Sequence, residues 1–296
     1  MLKYLLIVLF FLSACSSSNS IDQLETNIEN HIAEEEGTFG IWFQHLQNPE
    51  RSFSINADTL FHAASTMKTP VMVELFRRAE AGEFDLSDSI KVENRFYSIV
   101  DGSEFQLDLD PEGDDPFERR EGEMATIYDL NHAMITYSSN IATNLILQLV
   151  GAEETTQTMR ELGAENILVL RGLYDMKAFD QGLSNRTTAR DLGIIFERIA
   201  NGTAVSEEMD SLMIEVLKDQ FYQDVLPEYL PDDVVSANKT GFITGVRHDS
   251  GIFYLPDGQS YVLIFLSKDL PDEDRGRDVG REISLKIYEW LMAEKG

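Results

Sequence analysis

The chain is 296 residues long, 43% apolar and 26% charged, with 24 Lys and Arg against 52 Asp and Glu. That is enough apolar chain for one large domain or two intertwined lobes, and 19 Gly, 8 Pro, 17 Phe and 10 Tyr exclude collagen, coiled coil and wholesale disorder. A net charge of −28 excludes a nucleic-acid surface built on clustered Lys and Arg. The single cysteine excludes a disulfide framework and a thiolate zinc site.

Met1-Leu2-Lys3 makes a short basic start, and Tyr4 to Leu12 is an unbroken apolar run. That run is shorter than the roughly 20 residues a spanning helix needs, so it reads as the core of a secretory signal. Leu12-Ser13-Ala14-Cys15, followed by Ser16-Ser17-Ser18-Asn19-Ser20, resembles a bacterial lipoprotein box. The resemblance implies removal of residues 1–14, lipidation of Cys15, a serine-rich tether over residues 15–20, and a membrane-anchored protein of the periplasm or cell envelope.

Ile21 to Glu36 carries Ile21, Leu24, Ile28 and Ile32 at helical spacing. Thr38–Phe43 and Arg51–Ile55 read as strands around an Asn48-Pro49-Glu50 turn. Thr66 opens a helix with Pro70 in its first turns and Val71, Met72, Leu75, Phe76 and Ala79 on one face. The pattern then stays mostly helical to about Ala204. It is interrupted by a segment from Asp101 to Glu123 with ten acidic residues against Arg119 and Arg120, two prolines and three glycines. Such a segment cannot build a core of its own and reads as a solvated surface insertion. Calcium is the sharper alternative for clustered carboxylates, but no EF-hand spacing is present. Val234–Ala237, Gly251–Leu255 and Tyr261–Leu266 read as strands, with Asp257-Gly258 as a hairpin turn. Val279, Ile283, Ile287 and Trp290 mark a closing helix over Gly276–Glu294. The fold class is therefore α/β, with residues 21–65 and 233–296 forming one lobe around an antiparallel sheet flanked by terminal helices. An all-α lobe, residues 66–232, is inserted between the strands.

Ser65-Thr66-Met67-Lys68 sets a hydroxyl and an amine at i and i+3 on one helical face, beside the positive end of the helix. That suits a nucleophile whose reaction generates an oxyanion. The pattern alone is weak, because Ser236-Ala237-Asn238-Lys239 repeats it; in a strand, however, i and i+3 point to opposite faces. Tyr137-Ser138-Ser139-Asn140 and Lys239-Thr240-Gly241 follow in chain order. Ser-x-x-Lys, Ser-x-Asn and Lys-Thr-Gly in that order form the penicillin-recognising serine-enzyme signature. With Phe61-His62-Ala63-Ala64 before the serine and Val246-Arg247-His248-Asp249-Ser250-Gly251 after the third motif, the chain from about Ile21 to Glu294 resembles the class A β-lactamase family.

The resemblance implies a β-lactamase-like fold and a serine hydrolase working through an acyl-enzyme without metal or other cofactor. Ser65 would be the acylated nucleophile, Lys68 its base and Ser138 the proton relay to the departing nitrogen. Asn140 would hold the substrate's side-chain amide. Lys239, Thr240 and Gly241 would receive the substrate carboxylate, with Arg247 (and less so His248) beside them. The backbone N–H groups of Ser65 and Phe242 would form the oxyanion hole. The motif's middle residue is Ser139 where the family usually has Asp, a change read as tolerable.

A departure lies between Arg171 and Asn185. The family's deacylating glutamate falls two residues after the loop arginine, where this chain has Leu173, or one later in related hydrolases, where it has Tyr174. A phenol is a poor water-activating base at neutral pH, and Asp175 is displaced by one residue. Deacylation of a β-lactam is therefore expected to be slow. A D-Ala-D-Ala peptidase or esterase, or a penicillin-binding receptor that stays acylated, remain open alternatives. A metallo-hydrolase is poorly supported, since His31, His45, His62, His132 and His248 form no His-x-His pair. The expected partners are a β-lactam or a cell-wall peptide-like small molecule and, through the lipid, a membrane; nucleic acid is not expected, and the chain is expected to act as a monomer.

Overall fold

Two ends of the chain build one sheet. The computed structural model describes residues 20–293, so Cys15 and the apolar run before it lie outside the described residues. Helix α1 (Ile21–Ala33) is capped by Ser20, whose side chain accepts the Gln23 N–H, and it buries Leu24 and Ile28. Five antiparallel strands follow in the spatial order Ser52–Ile55, Thr38–His45, Ser260–Lys268, Val246–Tyr254, Val235–Ile243. The N-terminal strand thus pairs with the last one, from Thr38 opposite Lys268 to His45 opposite Tyr261. The terminal helices α1 and α9 (Glu273–Ala293) share one apolar cluster with one face of this sheet, in which Phe43, Tyr261, Phe265, Ile287 and Trp290 are buried. Ile252, Val262, Ile264 and Leu266 join a second cluster with the helical lobe. The central strand Ser260–Lys268 is buried on both faces, which is why Tyr261–Leu266 reads as a continuous apolar run.

Helices α2 (Lys68–Glu80), α3 (Ile127–Thr136), α4 (Asn140–Val150), α5 (Ala152–Glu161), α6 (Met176–Asp180), α7 (Ala189–Ala200) and α8 (Glu207–Lys218) occupy the segment between the strands. Five of them start at a side-chain cap: Thr126, Ser139, Asp175, Thr188 and Ser206 each accept a backbone N–H of the first turn. This lobe is not wholly helical. Phe61–His62 pairs with Arg186–Thr187, Ser89–Lys91 with Met124–Thr126, and Phe96–Tyr97 with Glu104–Phe105. Two or three residues are too few to show a period in sequence.

The acidic segment departs further from its reading. Leu107 and Phe117 are buried in the helical lobe's core, and the Asn94 side chain holds Leu107 from both sides, donating to its carbonyl at 2.9 Å and accepting its N–H at 2.8 Å. Burying one such side chain is worth roughly 1.5–3 kcal/mol. Two of them hold the segment down against its own charge repulsion.

Candidate active site

Ser65 lies in a 3₁₀ turn, Ala64–Met67, that runs directly into α2. In a 3₁₀ turn residues i and i+3 share one face, so the turn keeps Ser65 and Lys68 on the same side. Lys68 is fully buried, and its Nζ donates to Ser138 Oγ and Asn140 Oδ1, each at 3.0 Å, and to the Ser138 carbonyl. Burial, with the charge of Lys239 nearby, holds its pKa well below the usual lysine range. A lysine so placed gives up its proton more readily than a solvated one.

The second motif is the corner between α3 and α4. Ser138 sits there at φ +56°, and its hydroxyl also accepts from Lys239 Nζ at 3.2 Å. Among the described residues five non-glycines have positive φ: Asn56, Asp269, Ala64, Ser138 and Tyr174. The first two are types that tolerate this region. The other three lie in the Ser65 turn, the second motif and the Arg171–Asn185 loop, where strain is held by its surroundings. For Ala64 the clamp is visible, since its N–H donates to His62 Nδ1 at 3.0 Å.

Lys-Thr-Gly lies inside the strand Val235–Ile243, which runs on past the expected Val234–Ala237. Lys239 is buried, and burial lowers its pKa to about 7, with Asp249 pulling the other way. Its Nζ bridges Ser138 Oγ and the Thr240 carbonyl, while Thr240 stands opposite Asp249 in the sheet. Gly241 is required by approach: a Cβ there would come within 3.1 Å of the Ser65 and Thr66 nitrogens. The strand backbone therefore passes beside the Ser65 N–H, next to Phe242, whose ring is 68% exposed. Ser236 is elsewhere, in the same strand, donating to Gln223 at 2.9 Å.

Arg247 pairs in register with Phe242. Its guanidinium lies 4.7 Å over that ring and donates to Glu273 at 3.2 Å, so its charge is committed to Glu273. His248 is buried, with a pKa pushed down to about 4. Its Nδ1 accepts the Ser267 N–H and its Nε2 donates to the His62 carbonyl at 2.9 Å. It ties the sheet to the segment before Ser65.

The Arg171–Asn185 loop is closed at its neck. Asn185 accepts the Leu170 and Arg171 N–H groups and donates to the Arg171 carbonyl, while Arg171 donates to the Leu183 carbonyl. Asn144 on α4 grips Leu173 from both sides, accepting its N–H at 2.7 Å and donating to its carbonyl at 2.9 Å. Leu173 packs against the core, while Tyr174 is 53% exposed. Asp175 is buried and fully engaged: it accepts from Ser98 Oγ at 2.8 Å, the Ile99 N–H at 2.9 Å and the Ala178 N–H at 3.2 Å.

Sequence reasoning missed Asn144 and Asp249. Asn144 carried a signal, since it follows Asn140 by one helical turn on the same face. Asp249 lies opposite Thr240, and burial raises its pKa to about 6.

The β-lactamase enzyme family model matches residues 23–291. A β-lactamase of Bacillus licheniformis is 32% identical over 146 residues, 48% of each chain, so this match spans about half of that relative. β-Lactamase CARB-3 of Pseudomonas aeruginosa is 24% identical over 233 residues, 76% of this chain and 75% of that one. Among solved structures, PBP-A is 26% identical with a TM-score of 0.79, covering 92% of this chain and 96% of its own. A leucine-to-glutamate variant of PBP-A, solved as an acyl-enzyme complex with penicillin G, matches with the same score. The fold, the order of the motifs and these likenesses agree: the chain belongs to the β-lactamase enzyme family and is a serine β-lactamase-like hydrolase.

Proposed function

We propose that the protein hydrolyses β-lactam amides through an acyl-enzyme at Ser65, and that release of the acyl group is the slow step. The observation that carries the first half is the Ser138 hydroxyl held between two buried lysines, at 3.0 Å from Lys68 and 3.2 Å from Lys239. Neutral Lys68 takes the Ser65 proton as Oγ bonds to the lactam carbonyl carbon. The N–H groups of Ser65 and Phe242 receive the oxyanion. As the C–N bond breaks, Ser138 gives its proton to the departing nitrogen and is reprotonated by Lys68, which returns the base to neutrality. Asn140 holds the acyl side-chain amide, and Lys239 and Thr240 take the substrate carboxylate. Arg247 contributes to that pocket only indirectly, through Phe242.

Support for the second half comes from the loop. Leu173 packs against the core, Tyr174 is largely exposed, and Asp175 is occupied by three donors. PBP-A is known with penicillin G as an acyl-enzyme of its leucine-to-glutamate variant, a penicillin-reactive relative with a leucine at a substituted site. Mixing the protein with a chromogenic cephalosporin should give a mass adduct on Ser65, a one-equivalent burst and a slow phase, with Ser65→Ala unlabelled. Fast linear turnover without a trapped adduct would remove the slow-release half; an adduct on another serine would remove the whole reading.

We further propose that the mature chain starts at Cys15 and is held at the membrane of the cell envelope by its lipid. Detergent-phase partition of the full chain should be lost in Cys15→Ala. Equal partition of both proteins into the aqueous phase would end this proposal.

A further inference from the structure

Ser139 caps α4 with its hydroxyl oxygen, which accepts the Ala142 N–H at 3.2 Å. The residue is 1% exposed, and the cap leaves its O–H still to be donated. Asp115, in the acidic segment, has the complementary need. Its Oδ1 accepts the Phe117 N–H at 2.9 Å, while Oδ2 is shut away from water and has no hydrogen-bond partner. The carboxylate cannot swing freely, because its neighbour Phe117 is anchored in the core.

The groups facing Asp115 identify what it serves. Burial raises its pKa, and the Ser139 hydroxyl, the Phe117 N–H and the charges of Lys68 and Arg119 oppose that rise. In return Asp115 favours the protonated form of Lys68, against burial and Lys239. Glu118 of the same segment and Tyr222 also feel its charge.

We infer that Asp115 is a positioning residue of this active site: it accepts the Ser139 hydroxyl, braces the corner that carries Ser138 and Asn140, and supplies beside Lys68 the carboxylate that the second motif lacks. The acidic segment is then a wall of the site. This rests on the reading of Lys68 as the base for Ser65.

The test is the pH dependence of Ser65 acylation by a chromogenic cephalosporin, followed by intact mass on the full chain. Removing the negative charge in Asp115→Asn lets Lys68 lose its proton more readily, so the acid limb should move down by about one pH unit. The plateau rate should fall several-fold as the Ser138 corner loosens. Asp115→Asn combined with Ser139→Asp returns a carboxylate to the corner from the helix side and should restore the limb. If Asp115→Asn melts below the assay temperature, the double variant decides: a limb at the wild-type position supports the role, and a displaced limb overturns it. An Asp115→Asn limb superimposed on wild type also overturns it. Absence of any Ser65 adduct in wild type would instead bring down the reading of Lys68, and this role with it.

Discussion

At Lys239 burial and a buried carboxylate compete for one proton. Burial lowers the ammonium to about 7, and Asp249, itself raised to about 6, supports the charged form. Asp249 is held by Asn238 Nδ2 at 3.0 Å and by the Leu226 and Ser250 N–H groups, so its own charge is well satisfied. The sign follows directly. In its proposed role Lys239 is charged below about 7 and attracts a substrate carboxylate, and above that the attraction fades. The second-order acylation rate should therefore fall on an alkaline limb near pH 7. Lys239→Arg, which keeps its charge at any accessible pH, should move that limb upward, and Asp249→Asn should move it downward by removing the supporting charge. Rate profiles from pH 5 to 9 check this, and coincident limbs in all three proteins would refute the assignment.

At the scale of elements, the slow release proposed above rests on the Arg171–Asn185 loop. Through Asn144 the loop is tied at Leu173 to α4, and at Asp175 it is tied to the Ser98–Ile99 segment. Leu173→Glu places a carboxylate inward and should raise deacylation by about 10²-fold or more, the usual worth of a general base. Tyr174→Glu places it in solvent and should change little. Single-turnover decay of the adduct separates them; equal decay in both variants would show that the loop is mounted differently.

The helical lobe was legible because its apolar residues recur at helical spacing, and the motif order led to Ser65, Lys68 and Ser138. The strands Val235–Ile243 and Val246–Tyr254 were read short at their shared end, because Asn238, Lys239, Thr240, Arg247, His248 and Asp249 interrupt the apolar pattern there. Site chemistry hid the fold. The same holds for Asp115: in sequence it is one of ten acids in a polar segment, and only the burial of Leu107 and Phe117 distinguishes it.

For the whole molecule the dominant number is the net charge of −28. Its cations are heavily used in ion pairs: Arg275 bridges Glu35 and Glu282, Arg277 bridges Asp224 and Asp274, Arg190 pairs with Asp58 and Arg281 with Asp278. Exposed pairs of this kind contribute about 0–1 kcal/mol each, and salt weakens them slightly. The excess acids repel one another over longer distances, and that repulsion is felt most in the compact state. Raising ionic strength from about 0.01 to 0.1 M shortens the screening length from roughly 30 to 10 Å, comparable to the spacing of surface charges. The two effects oppose each other, and with 52 acids against 24 bases the repulsion wins. The melting temperature should therefore climb steeply with NaCl below about 0.1 M and flatten above it, as screening saturates. Calorimetry across that range tests the sign and the shape together. A melting temperature that is flat or falls at low salt would mean that the ion pairs, and not the unbalanced acids, set the electrostatics of this fold.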